Sequence, residues 1–282
     1  MEFKGLRGRV VLFFGTTILI ACVALAFICL NDASDALLSE SSEAMLKVAK
    51  QTAETIDLQI QSRLHIIEGI ANRNVIRGVQ GDRESTQEEI LKALQDEMKR
   101  AESMGFSEIG VSNRSGDIIN NDGSTINIRD RDYFKAAIQG KPHVSSTIIS
   151  GLTNSAIFAY TAPIRHYETG EISGVVNGIV DAVKFNEVVN EIEYRRTGYA
   201  IVIDENGTNI GHKDMEKVLE QDNIIKTAES EPELAELAEV QKKMIAGEEG
   251  VGYYTYDGER KIIAYSPIKS TGWSVGLTCP EL

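Results

Sequence analysis

Apolar residues recur at steps of three and four along Met45, Ala49, Ala53, Ile56, Ile60, Leu64, Ile67 and Ala71, with Lys, Gln, Glu and Asp between them. That period predicts one long amphipathic helix beginning near Ala33. Ahead of it, residues 10–30 (VVLFFGTTILIACVALAFICL) carry no charge, enough helix to cross a hydrocarbon core of about 30 Å. Ser85-Thr86-Gln87-Glu88 reads as a capping box opening a second helix that runs to about Ser103. Beyond it the period shortens to two. Residues 106–120 predict strand, turn, strand, with Asn113-Arg114-Ser115-Gly116 at the bend. A short helix follows over residues 130–139, then a Ser/Thr/Asn loop from Ser145 to Ser155. Two strands, residues 155–165 and 171–181, come next, and a helix over residues 183–194.

The pattern then returns. Residues 199–210 repeat the strand-turn-strand, acidic helical sequence fills residues 215–246, and strands are expected at 252–256, 261–268 and 273–279. Tyr160-Thr161-Ala162-Pro163-Ile164-Arg165 is echoed by Ala264-Tyr265-Ser266-Pro267-Ile268-Lys269. Each is a strand ending in Pro-Ile-basic before a turn and a last glycine-containing strand. Two copies of one antiparallel module in tandem on a long helix account for this. The expected fold class is α+β: an N-terminal transmembrane helix, a long amphipathic helix and two small antiparallel-sheet modules.

Charge fixes the orientation of the apolar helix. Lys4, Arg7 and Arg9 precede it, while Asp32, Asp35, Glu40 and Glu43 follow. This asymmetry predicts a cytoplasmic N-terminus over residues 1–9 and an extracytoplasmic location for residues 32–282. A cleaved signal peptide has a shorter apolar run. A lipoprotein box at Leu19-Ile20-Ala21-Cys22 would be followed by polar sequence, which is absent here. The formal net charge of -13 disfavours nucleic acid as a partner. Cys279 is the lone cysteine outside the apolar run, so the soluble part forms no internal disulfide. His65, His143, His166 and His212 show no ligand-like spacing, and no phosphate-binding glycine loop or nucleophile motif is present. No metal, cofactor or catalysis is expected.

The candidate chemistry lies between Arg131 and Asp181. Arg131-Asp132-Tyr133-Phe134 sets a cation beside two aromatics, and residues 174–181 end an apolar strand on a carboxylate. A guanidinium holds a carboxylate through two parallel hydrogen bonds, and an aspartate accepts from an ammonium, so the two facing each other would complement a zwitterion. As surface charges, or paired with each other, they would bind nothing. Asn177 stands on the strand face of Asp181, as a polar contact or as a core amide satisfied by nearby backbone.

These residues resemble the double Cache extracellular sensor domain of bacterial methyl-accepting chemotaxis proteins and sensor kinases. The likeness covers roughly residues 33–281 and rests on the anchor, the long helix and Arg131 to Phe134 followed by Lys135-Ala136-Ala137. Pro163-Ile164, residues 174–181 and Gly272-Trp273-Ser274-Val275-Gly276 with Pro280-Glu281 complete it. The resemblance implies two PAS-like modules, a membrane-distal one with the long helix over 33–194 and a membrane-proximal one over 195–282. It places a ligand in the distal module. Arg131 would take the ligand carboxylate with Tyr133 where the family has a tryptophan, and Asp181 would take the amine. Phe134, Asn177, Thr153 and Ile149 would complete the pocket. Where the family carries two further tyrosines this chain has Ile126 and either Ile148 or Ile149, which removes hydroxyls that orient an ammonium. The implied ligand is an amino acid, another small carboxylate or an amine. A homodimer through the long helix is implied. The chain stops at Leu282, where the family enters a second membrane helix, so a truncated receptor and a stand-alone anchored binding protein both stay open, as does the sensor part of a histidine kinase or cyclase.

Overall fold

The computed structural model describes residues 6–80, 83–149, 155–194 and 197–281. The predicted helices merge into one 66-residue helix, α1 (Leu6–Ala71). The chain divides into two compact units, Met1–Met45 and Leu46–Glu281. In the first, Phe13–Leu30 is long and apolar enough to cross a membrane, and none of its described side chains is buried. In the second, Ala49, Ala53, Ile56, Ile60, Ile67 and Ala71 of the predicted stripe are buried, while Leu64 is half-buried.

A two-residue ladder, β1 (Val79–Gln80) with β2 (Arg83–Glu84), leads into α2 (Gln87–Ala101). The capping box is present one residue later than the sequence suggests. Thr86 is the N-cap; its Oγ1 accepts from the Glu89 amide and the Glu89 carboxylate accepts from the Thr86 amide. Two guanidinium nitrogens of Arg83 donate to the same carboxylate, which selects Glu89 over Glu88.

The first sheet contains β3 (Phe106–Asn113), β4 (Asp117–Asn120), β5 (Thr125–Asn127), β6 (His143–Val144), β7 (Ile148–Ile149), β8 (Ala156–Arg165) and β9 (Ile172–Asp181), with α3 (Asp132–Ala137) between β5 and β6. Its order is β5-β4-β3-β9-β8-β6, with β7 also on β8. Helix α4 (Ala182–Asn190) then stops short of the expected residue 194, because residues 193–194 leave as β10 (Glu193–Tyr194) to pair with β11 (Gly198–Ile203).

The second sheet adds β12 (Asn209–Gly211), β13 (Gly250–Tyr256), β14 (Glu259–Ile268) and β15 (Trp273–Pro280), in the order β10-β11-β15-β14-β13 with β12 on β11. The acidic stretch expected as continuous helix is broken into α5 (Met215–Leu219), α6 (Ile224–Thr227) and α7 (Ala235–Ile245). Gln221 takes a positive φ of 54°, Asn223 caps the Lys226 amide, and Pro232 opens a separate 3-10 turn.

Strand alternation gives each sheet two faces. Helix α1 packs on one: a Cβ at Gly178 would strike Ile67 and Phe106, and Arg63 donates to the Met104 carbonyl at 3.2 Å. Further along α1, Asp57 accepts from the Ser270 amide at 2.9 Å and Lys50 pairs with Glu249 at 2.8 Å, next to the second sheet. Between the sheets, the Trp273 ring lies 5.7 Å from Phe158 and 6.2 Å from Phe185, and its indole N–H donates to Glu205 at 3.2 Å. The opposite face is covered by α3 on the first sheet and by α7 on the second.

Candidate functional site

On the α3 face of the first sheet, the registers align side chains in rows. Asn120 on β4, Gly110 on β3, Asn177 on β9 and Thr161 on β8 pair in succession. Glu108, Ile179 and Ala159 form the next row, and Asp181 and Ile157 the one after. An apolar cluster of Ile118, Tyr133, Phe134, Ala137, Ala159 and Val175 closes one side, with Ile148 and Ile179 against it. Tyr133 and Phe134 enter it because α3 begins at Asp132, whose neighbour Arg131 stays extended as the N-cap.

Polar atoms interrupt this cluster. Asn177 is 3% exposed and Asn120 is 5% exposed, and the side-chain oxygen of each is buried without a hydrogen-bond partner among the described residues. The Asn177 oxygen, at least, meets no backbone N–H among the described residues. Such orphaned acceptors cost about 1–3 kcal/mol each and are the sort of group a ligand's N–H or O–H relieves. Gly110 leaves them room: a Cβ there would strike Asn120 Oδ1 and Ile118. Thr161 is already engaged, its hydroxyl donating to the His143 carbonyl at 3.0 Å.

Two opposite charges act on the Tyr133 hydroxyl. Burial raises the Tyr133 pKa, with Arg131 opposing and Glu108 adding to the shift. Glu108 is itself half-buried, and its pKa is raised by burial and by the nearby Asp122 carboxylate. Arg131 is exposed and makes no ion pair with Asp181 among the described residues. Asp181 is half-buried as the N-cap of α4, its Oδ1 accepting from the Val183 amide at 2.8 Å. One carboxylate oxygen is thus committed to a helix terminus.

The expected residues fare unequally. Tyr133, Phe134, Asn177 and Asp181 share the α3 face. Ile149 pairs with Ala156, so alternation turns it to the α1 face; Ile148, paired with Ile157, is the isoleucine that joins the cluster. Ile126 is exposed. Thr153 lies outside the described residues. Glu108 and Asn120 were missed; the alternation of Phe106-Ser107-Glu108-Ile109-Gly110 put Glu108 on a strand face, but no spacing marks it as functional.

The Cache domain family model matches residues 33–281. A segment of 153 residues, 53% of this chain, is 24% identical to the methyl-accepting chemotaxis protein McpA of Pseudomonas putida. The match covers 22% of that relative's length. The ligand-binding domain of the Pseudomonas fluorescens chemoreceptor CtaA, solved with L-serine, superposes with a TM-score of 0.64 at 19% identity, covering 89% of this chain and 98% of that one. The extracellular domain of the putative histidine kinase mmHK1S-Z3 gives 0.68 at 16% identity, covering 85% of this chain and 94% of that one.

Proposed function

The chain belongs to the Cache domain family, and on that premise we propose that it is the extracytoplasmic ligand-sensing region of a membrane-anchored receptor of the chemoreceptor type. Its ligand is a small amino acid or related carboxylate, bound on the α3 face of the first sheet. The observation that carries this reading is the pair of buried amide oxygens of Asn120 and Asn177, without partners among the described residues, on the sheet face that Tyr133 covers. Arg131 takes the carboxylate in a bidentate grip. Asn177 and Asn120 accept from the ligand's donors, and Glu108 with the free oxygen of Asp181 neutralises its ammonium. Phe13–Leu30 anchors the chain, with residues 32–282 outside, and two copies associate through α1, where Leu58 is 66% exposed. A signal travels only as far as the ligand prefers one conformation of the sheet over another. A kinase sensor is the second reading, favoured by the likeness to the putative histidine-kinase domain.

Thermal melting of the full chain in nanodiscs, screened against L-amino acids, organic acids and amines, tests it. A ligand at a hundred times its Kd adds about 2.7 kcal/mol of stability. Arg131→Ala should diminish the shift and leave the unliganded melting point in place, since the side chain is exposed. Absence of a shift with every compound, or an undiminished shift in Arg131→Ala, would refute the assignment.

A further inference from the structure

A cavity of about 380 Å³ opens on the other half of the protein, on the face of the second sheet that α7 covers. Its size suits a small molecule. Two side chains lining it bring buried acceptors with no partner among the described residues: Gln241 Oε1 from α7, in a residue 1% exposed, and Asn209 Oδ1 from β12, in a residue 3% exposed. The Asn209 amide nitrogen donates to Asp222 at 3.3 Å, which leaves its oxygen as the free end. Both oxygens require an N–H or O–H from whatever fills the space.

Cations stand over aromatic walls of the same cavity. Lys213 Nζ lies 3.8 Å from the Tyr199 ring centroid, and Lys261 Nζ lies 5.4 Å from that of Tyr256. Lys217 donates to Asp222 at 3.0 Å and to the Tyr256 hydroxyl at 3.3 Å, leaving one ammonium hydrogen uncommitted. His212 adds no charge: burial and Lys217 hold its pKa down to about 4, and its Nδ1 accepts from the Asp214 amide, so the ring proton sits on Nε2. Unpartnered acceptors thus share one space with Lys213, over the Tyr199 ring, and with Lys261, which also reaches the Glu259 carboxylate at 3.4 Å.

We propose that this cavity is a second ligand site, separate from the α3 face, for a short carboxylic acid bearing an α-hydroxyl or α-ammonium group. The carboxylate is held by Lys213 and Lys261, and the hydroxyl or ammonium donates to Gln241 and Asn209. The site stands independently of the first-sheet reading.

Calorimetric titration of the full chain in nanodiscs with L-serine, L-alanine, L-lactate and L-malate separates the two. In Arg131→Ala, at least one of these probes should still bind. That binding should weaken tenfold or more in Gln241→Leu and in Lys213→Ala, whose exposed side chain leaves folding undisturbed. Binding lost in Arg131→Ala but unchanged within twofold in both second-sheet variants would overturn the second site and keep the first. Binding lost only in the second-sheet variants would do the reverse. No heat from any of the four probes overturns the proposal.

Discussion

The two sheets share a strand order and differ in what closes their open face. β4-β3-β9-β8-β6 in the first matches β12-β11-β15-β14-β13 in the second, and the Pro-Ile echo falls at the ends of β8 and β14 in both. Over the first, six-residue α3 presses Tyr133 and Phe134 onto the strands. Over the second, α7 supplies Leu237, Ala238 and Val240 to the core and leaves a cavity beside Gln241. Strand patterning was duplicated; the cover was not. The two faces are therefore told apart by the inserted helices and the few polar residues they meet, while the sheets supply a common frame.

That independence is bounded where the two halves meet, and breaking the aromatic contact there gives the largest expected effect. Trp273 is 1% exposed and joins Phe158 of the first sheet to Phe185 of α4. Trp273→Ala should cost about 3–5 kcal/mol through the cavity it leaves, a fall of about 6–20 °C in Tm for a domain of this size. Calorimetry should also show whether one transition splits into two. A loss below about 1 kcal/mol would mean that the sheets do not lean on each other there.

Acid should separate the halves next. The His212 pKa is lowered to about 4, so between that value and the ordinary value of about 6.5 the unfolded chain binds a proton that the folded chain refuses. The stability from this group is fully present above about pH 6.5 and is lost as pH falls toward 4, by up to about 3 kcal/mol. Burial lowers His143 in the first sheet in the same direction. Glu108 acts oppositely: its raised pKa means that stability declines as pH rises through it. Urea midpoints from pH 4.5 to 7 should climb steeply for the native chain and more shallowly for His212→Gln. Equal slopes would show that His212 titrates normally.

What was legible in advance follows the same division. Period-two alternation and the Pro-Ile echo expose both sheets, and the apolar stripe exposes α1, because burial imposes those periods directly. Capping and side-chain direction are local choices that a one-residue shift reverses. Ser85–Glu88 and Thr86–Glu89 both satisfy the box pattern, and the Arg83 contact decides between them. Ile148 and Ile149 are equivalent by composition and opposite by register. Glu108 required the pairing of β3 with β9, a contact across some seventy residues that no local spacing encodes. The break of the acidic stretch at Gln221 to Asn223 was marked only by an asparagine and a later proline.

The role of the two first-sheet carboxylates sharpens the comparison further. Asp181 already caps α4, so Asp181→Asn should keep the cap and change amino-acid affinity only a fewfold. Glu108→Gln removes an uncommitted charge and should weaken an amino acid by about 10–100-fold, the value of about 1.5–3 kcal/mol for a hydrogen bond to a charged group. The matching hydroxy acid should lose far less. The reverse ranking in titrations would return the ammonium to Asp181.

The smallest effect tests whether both halves hold binding groups at a cost to their own folding. Asn177 in the first sheet and Gln241 in the second each bury an oxygen that has no hydrogen-bond partner among the described residues. An apolar replacement of similar size removes that penalty, so Asn177→Leu and Gln241→Leu should each leave the unliganded protein as stable as before or more stable, by about 1 kcal/mol. Ordinary core amides would behave otherwise, because replacing a satisfied amide strands its partner. A gain in both melting points without ligand, together with loss of ligand-induced stabilisation, would mark two faces each kept incomplete for an occupant. A gain at Gln241 with a loss at Asn177 would leave the second sheet as the sensing half and the first as its scaffold.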